Sequence, residues 1–164
     1  MIQSKAITVA VAVALPVVFV LAQEKESNPT TRAEQKIFSS AELPWRNAAT
    51  LPPGAQMVVL DGDPAKPGLF TARLKMPAGY KIPPHTHPTP ERVTVISGTA
   101  YLGFGDKFDE RAGRELKTGD FAVIPAGVPH FAWSRAEAVL QLHTEGPFQR
   151  TFINPADDPA EGKN

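Results

Sequence analysis

Four side chains in two short stretches carry the chemistry this sequence offers. His85, His87 and Glu91 lie in GYKIPPHTHPTPERVTVISG (79–98), and His130 lies in GDFAVIPAGVPHFAWS (119–134). Three imidazoles and a carboxylate are a ligand set for one divalent transition metal, drawn from Mn, Fe, Zn, Ni, Co and Cu, and suit calcium or magnesium poorly. Four protein ligands on an octahedral ion leave two positions for water, dioxygen or adjacent substrate oxygens, where the ion acts as a Lewis acid or a redox centre. The bland alternative is a solvated rim on which these groups hydrogen-bond one another. A lone His-x-His is weak, but three of the four histidines in the chain fall at these positions.

Positioning them is a task for strands. Residues i and i+2 of a strand share a face, so His85 and His87 converge while Thr86 turns away. Pro83, Pro84, Pro88 and Pro90 stiffen the flanks and limit ladder pairing there. Glu91 then opens a new strand with Val93 and Val95 on its face, and His130 arrives from elsewhere after the turn at 125–129. The fourth histidine, His143, lies in AVLQLHTEG (138–146). If Gln141 and His143 face inward, His143 is a candidate catalytic acid, base or substrate-binding group with a pKa near working pH; the opposite parity puts Leu140 and Leu142 inside. Tyr101 and Trp133 are pocket candidates with core filling as the alternative, and Tyr80 and Arg73 are more simply surface residues.

The rest of the chain favours an all-β fold. Seventeen prolines and twelve glycines punctuate its 164 residues. The run at 69–77 alternates Phe70, Ala72, Leu74 and Met76 against Thr71, Arg73 and Lys75, the period of a half-buried strand. About eight such segments and no helical periodicity predict an antiparallel sandwich or small barrel over residues 45–155. Gly98 marks a sharp corner or hairpin. The acidic residues at 60–64 read as turn chemistry, and those at 105–115 as a solvated hairpin loop. Residues 156–164 form a polar tail.

Charges balance, at 17 basic and 17 acidic residues, and no basic-aromatic stripe appears, so the expected partner is a small molecule and not nucleic acid. The absence of cysteine removes disulfides, thiolate metal sites and a cysteine nucleophile. At the N-terminus Lys5 precedes an apolar run that ends in polar residues after Ala22. This is the pattern of a signal peptide over 1–22, followed by a linker over 23–44 that holds one capped helical turn at Ser39 and Glu42. The alternative is a retained membrane anchor. Either way the folded part is expected to be periplasmic or secreted, where manganese and zinc suit better than an iron that oxidises in air.

The two stretches also resemble a known family. The first follows the cupin pattern G-x5-H-x-H-x3-E-x6-G through Gly79, His85, His87, Glu91 and Gly98; the second follows G-x5-P-x-G-x2-H-x3-N through Gly119, Pro125, Gly127 and His130, with Ser134 at the final asparagine position. The resemblance spans roughly residues 51–154. It implies a single jelly-roll β-barrel with His85, His87, Glu91 and His130 holding a divalent metal, in a family whose members often form homodimers. It implies a metal-dependent enzyme of dioxygenase, lyase or isomerase type acting on a small oxygen-rich molecule, with a non-catalytic metal-binding or sensor module of the envelope as the alternative, since fold alone does not fix function.

Overall fold

The strand at Gly68–Met76 buries Phe70, Ala72, Leu74 and Met76 and leaves Thr71, Arg73 and Lys75 part-exposed, as its alternation requires. The same logic repeats through a computed structural model that describes residues 35–161. The signal peptide expected at 1–22, the linker as far as residue 34 and the end of the tail at 162–164 lie outside the described residues. Among the described residues no helix is long and apolar enough to cross a membrane.

From Ile37 onward the chain forms one unit. Its strands are β1 (Arg46–Asn47), β2 (Gln56–Asp61), β3 (Gly68–Met76), β4 (Lys81–Thr86), β5 (Glu91–Ser97), β6 (Thr99–Phe104), β7 (Arg114–Lys117), β8 (Phe121–Ile124), β9 (His130–Trp133), β10 (Ala138–Gly146) and β11 (Thr151–Phe152). They form two antiparallel sheets, ordered β1-β2-β3-β10-β5-β8 and β11-β4-β9-β6-β7. This is the expected jelly roll, with more strands than the eight legible in the sequence because several are only two to four residues long. Leu74, Met76, Val95 and Leu140 of the larger sheet meet Ile82 of β4 and Ala100 of β6 in the core between the sheets.

Gly98 is a corner and not a hairpin, because β5 and β6 belong to different sheets. Its φ of +76° is left-handed backbone, and a Cβ there would collide with the Glu137 carbonyl, so glycine is required twice over. The turn at 60–64 is turn chemistry: Asp63 accepts from the Ala65 amide at 2.9 Å. Two expectations are corrected. Ser39 precedes a short 3-10 turn (Ser40–Glu42) but makes no side-chain cap, so the capping box does not form. The segment 105–115 is not merely a solvated loop: it holds a 3-10 turn (Glu110–Ala112) and the start of β7, and Phe108 packs on Phe131 and Trp133 at ring separations of 5.0 and 5.6 Å. Apolar Phe108 had been hidden among charged neighbours.

Candidate metal centre

β4 delivers the first histidine through an irregularity that its prolines make. Ile82 pairs with Ala132 and His85 with His130, so three steps on β4 match two on β9. That extra residue is a β-bulge, placed where Pro83 and Pro84 have no amide to give the ladder. Without it, Ile82 and His85 would face opposite sides; with it, both line the barrel interior. His87 lies one residue beyond β4 and is buried while Thr86 is not. Glu91, the first residue of β5, is buried on the face of Val93 and Val95, and His130 opens β9 directly opposite His85.

The three imidazoles offer ligand atoms within 4.8 Å of one another. Glu91 Oε2 stands 3.5 Å from His130 Nε2 and 3.9 Å from His87 Nε2. Two donors each about 2.1 Å from one ion can be at most about 4.2 Å apart, so the carboxylate is already in range and the histidines need only a slight contraction.

Their tautomers are fixed from behind. His85 Nδ1 donates to the Pro83 carbonyl at 2.8 Å, His87 Nδ1 to the Gln149 carbonyl at 2.6 Å and His130 Nδ1 to the Val128 carbonyl at 3.0 Å. A carbonyl can only accept, so each Nδ1 carries the proton and each Nε2 presents a lone pair. The Nε2 atoms of His87 and His130 are buried with no hydrogen-bond partner. Buried polar atoms are rarely left so, and backbone carbonyls behind ligating imidazoles are the usual support of a metal site. The donor set therefore fits a divalent transition metal.

Electrostatics agree. Burial, with smaller contributions from the charges of His130 and Arg150, pushes His85 down to about 2. Burial also pulls His87 down to about 4, against the opposing pull of Glu91. Both rings are thus neutral near pH 7, the form a metal needs. Burial alone would raise the Glu91 carboxyl, but the close imidazoles of His130 and His87 hold it below its ordinary value.

Residues 72–143 match a family model described as the cupin domain. The matched segment is similar to a cupin domain. Over 103 residues the chain is 30% identical to a putative germin-like protein 9-2 of Oryza sativa subsp. japonica, a match covering 61% of this chain and 46% of that protein. The chain thus spans less than half the length of that curated relative. Among solved structures, the polyketide cyclase RemF from Streptomyces resistomycificus superposes with a TM-score of 0.62 at 17% identity, over 78% of this chain and 92% of that one. An RmlC-like cupin from Shewanella frigidimarina gives 0.54 at 15% identity, over 68% and 91%. At such identities the two structures speak for the cupin fold alone.

The other sequence candidates fall out differently. The β10 parity is the opposite of the one that would aim His143 inward: Leu140 and Leu142 are buried, and exposed His143 bonds through Nδ1 to Thr71 Oγ1 at 2.8 Å on the outer face. The catalytic role expected of His143 therefore has no geometric basis, because Leu142 and Thr144 take the inward positions on either side of it. Tyr101 lines the cavity, yet its hydroxyl turns away to Glu115 at 3.1 Å; Trp133 is core, stacked on Tyr101 at 5.0 Å. Tyr80 is buried and not a surface residue, its hydroxyl bound to the Pro52 carbonyl. Arg73 bonds Gln141 at 3.1 Å on the outer face.

Sequence reasoning read RTFIN (150–154) as a strand segment but gave the segment 146–152 no part in the site. β11 pairs with the end of β4, Phe152 opposite His85, and carries the preceding residues over the site. Phe148 stacks on His87 at 4.4 Å, Gln149 supplies the carbonyl for His87, and Arg150 lines the cavity. The signal available in GPFQRTFIN was an arginine spaced two residues from a phenylalanine on each side, at the start of the last strand segment.

Proposed function

We propose that this protein is an exported metal-dependent cupin enzyme acting on a small oxygen-rich organic molecule, with His85, His87, Glu91 and His130 as the ligands of one divalent transition metal. The observation that carries the reading is the pair of buried, partnerless Nε2 atoms on His87 and His130, held lone-pair inward by carbonyls behind them. When bound, such an ion supplies Lewis-acid or redox chemistry. The chain's own contribution is to fix three imidazoles with Nε2 inward, to keep Glu91 ionised, and to surround the centre with aliphatic side chains that limit water. Dioxygenase, lyase and isomerase chemistries all suit such a centre.

The outward placement of His143 favours a second reading, a non-catalytic metal-binding or sensor module, because it removes the one histidine available for proton transfer beside the ligands. The two readings separate in one experiment. Protein purified without chelator and reconstituted with manganese, iron or zinc is followed for oxygen uptake and product formation over catechols, flavonols and oxo-acids. Turnover that disappears in His87→Ala supports the enzyme; stoichiometric metal with no turnover across the panel supports the module. Export rests on the charged, apolar and polar succession of residues 1–22. It predicts a mature protein beginning near Gln23, and an intact Met1 on soluble cytoplasmic protein contradicts it.

A further inference from the structure

Beside His85, His130 and Glu91, the interior cavity is lined by one cationic side chain among the described residues, that of Arg150. The guanidinium lies over the Phe148 ring at 5.9 Å, and its hydrogen bonds run to Thr50. Nη1 donates to the Thr50 carbonyl at 2.9 Å and approaches the Thr50 hydroxyl at 3.2 Å, whereas Nε is buried with no partner. Leaving a buried donor unpaired costs about 1–3 kcal/mol, more when it belongs to a charged group. Arg150 also lines the outer hollow between Thr50, Phe148 and Phe152, so it stands in the wall between the cavity and the surface.

The charge balance points to what completes it. Among the groups that line the cavity, a divalent ion held at the imidazole cluster and the fixed charge of Arg150 exceed the single charge of Glu91 by two, Asp158 lying on the outer side of Arg150. The remaining wall is apolar, with Leu74, Val93, Ile124, Leu140 and Leu142, so this excess is poorly solvated and selects an anion. Space limits its size. About 40 Å³ of the cavity is open to the centres of water molecules, room for about three waters and so for a ligand of only a few non-hydrogen atoms.

We propose that Arg150 is the specificity-determining residue of this site, and that it recognises the carboxylate of a short 2-oxo or 2-hydroxy monocarboxylic acid. The guanidinium presents Nε–H to the carboxylate, the acid's small alkyl end rests on the aliphatic wall, and its second oxygen faces the histidine cluster. This names the substrate class of the metal site proposed above and rests on that reading.

The test is isothermal titration calorimetry on the full chain, metal-free and zinc-loaded, with pyruvate and its neutral analogue pyruvamide as probes. Zinc is redox-inert, so the readout is binding and not turnover. In zinc-loaded protein pyruvate is expected to bind at least about tenfold more tightly than pyruvamide. Arg150→Gln is expected to lower that preference about tenfold with zinc stoichiometry unchanged, which separates the arginine from the ion's own attraction for anions. Arg150→Lys keeps the charge without the planar fork and is expected to lose about threefold of the preference or more, which serves if the glutamine variant does not fold. A preference that survives in Arg150→Gln or is undiminished in Arg150→Lys overturns the proposal, as does equal binding of the two probes or no binding in either form. If zinc fails to bind, the metal reading falls, and the pyruvate–pyruvamide contrast in metal-free wild type against Arg150→Gln still decides the role of Arg150.

Discussion

His87 and His143 are two histidines of one barrel with opposite surroundings. His87 sits just beyond β4, buried, with Nδ1 bound to a carbonyl and Nε2 facing other imidazoles; His143 sits within the regular ladder of β10, exposed, with a threonine hydroxyl for a partner. Both are flanked by segments that read as sound strands. The difference lies in the backbone. β10 follows strict alternation, so Leu140, Leu142 and Thr144 claim the interior and leave His143 outside. The end of β4 is broken by a bulge at paired prolines, which returns His85 to the interior face and lets the chain run on to His87. A histidine becomes a candidate ligand here where regular pairing stops.

The largest expected effect is on metal affinity. His87→Ala should weaken zinc or manganese binding by at least about 100-fold, measured by competition with a chromophoric chelator, because an entire ligand is lost. The next distinction is in pH. The folded-state values of His85 and His87, about 2 and about 4, lie below the ordinary 6.5. Unfolded chains therefore take up protons that the folded metal-free protein refuses, and stability present above pH 6.5 is lost as pH falls toward 4. The limiting slope is about 1.4 kcal/mol per histidine per pH unit. Glu91, whose carboxyl is held below its ordinary 4.5, adds a loss of the same sign at lower pH. Urea melts of metal-free protein at pH 7, 6 and 5 should show this fall, and His87→Ala should show a shallower one. Phe148→Ala removes the ring stacked on His87 and should cost about tenfold in metal affinity, by the same competition. The smallest effect belongs to His143→Ala, with metal content unchanged and stability within about 0.5 kcal/mol of wild type, as for an exposed site. A His143 variant that lost metal would erase the contrast between the two histidines.

The strand character of β3 and the ligand candidates were legible because period-two alternation and histidine spacing are local properties. The parity of β10 was not, since Leu140–Leu142 and Gln141–His143 each make a plausible inner face until β3 and β5 fix the register on either side. Nor was the corner at Gly98 separable from a hairpin, because the choice depends on which sheet β6 joins. Arg150 and Phe148 escaped for a similar reason. They reach the site through the two-residue pairing of β11 with β4, whose partners Thr151 and Thr86, and Phe152 and His85, are 65 and 67 residues apart in sequence, a contact that no local pattern announces.

The central claim is that the buried imidazole cluster is a metal centre, and native mass spectrometry tests it most directly. Protein purified without chelator and reconstituted with one equivalent of zinc or manganese is predicted to carry one ion per chain, retained in His143→Ala and absent in His87→Ala. Wild-type protein that stays metal-free after reconstitution, or that holds its ion equally well in His87→Ala, contradicts the account.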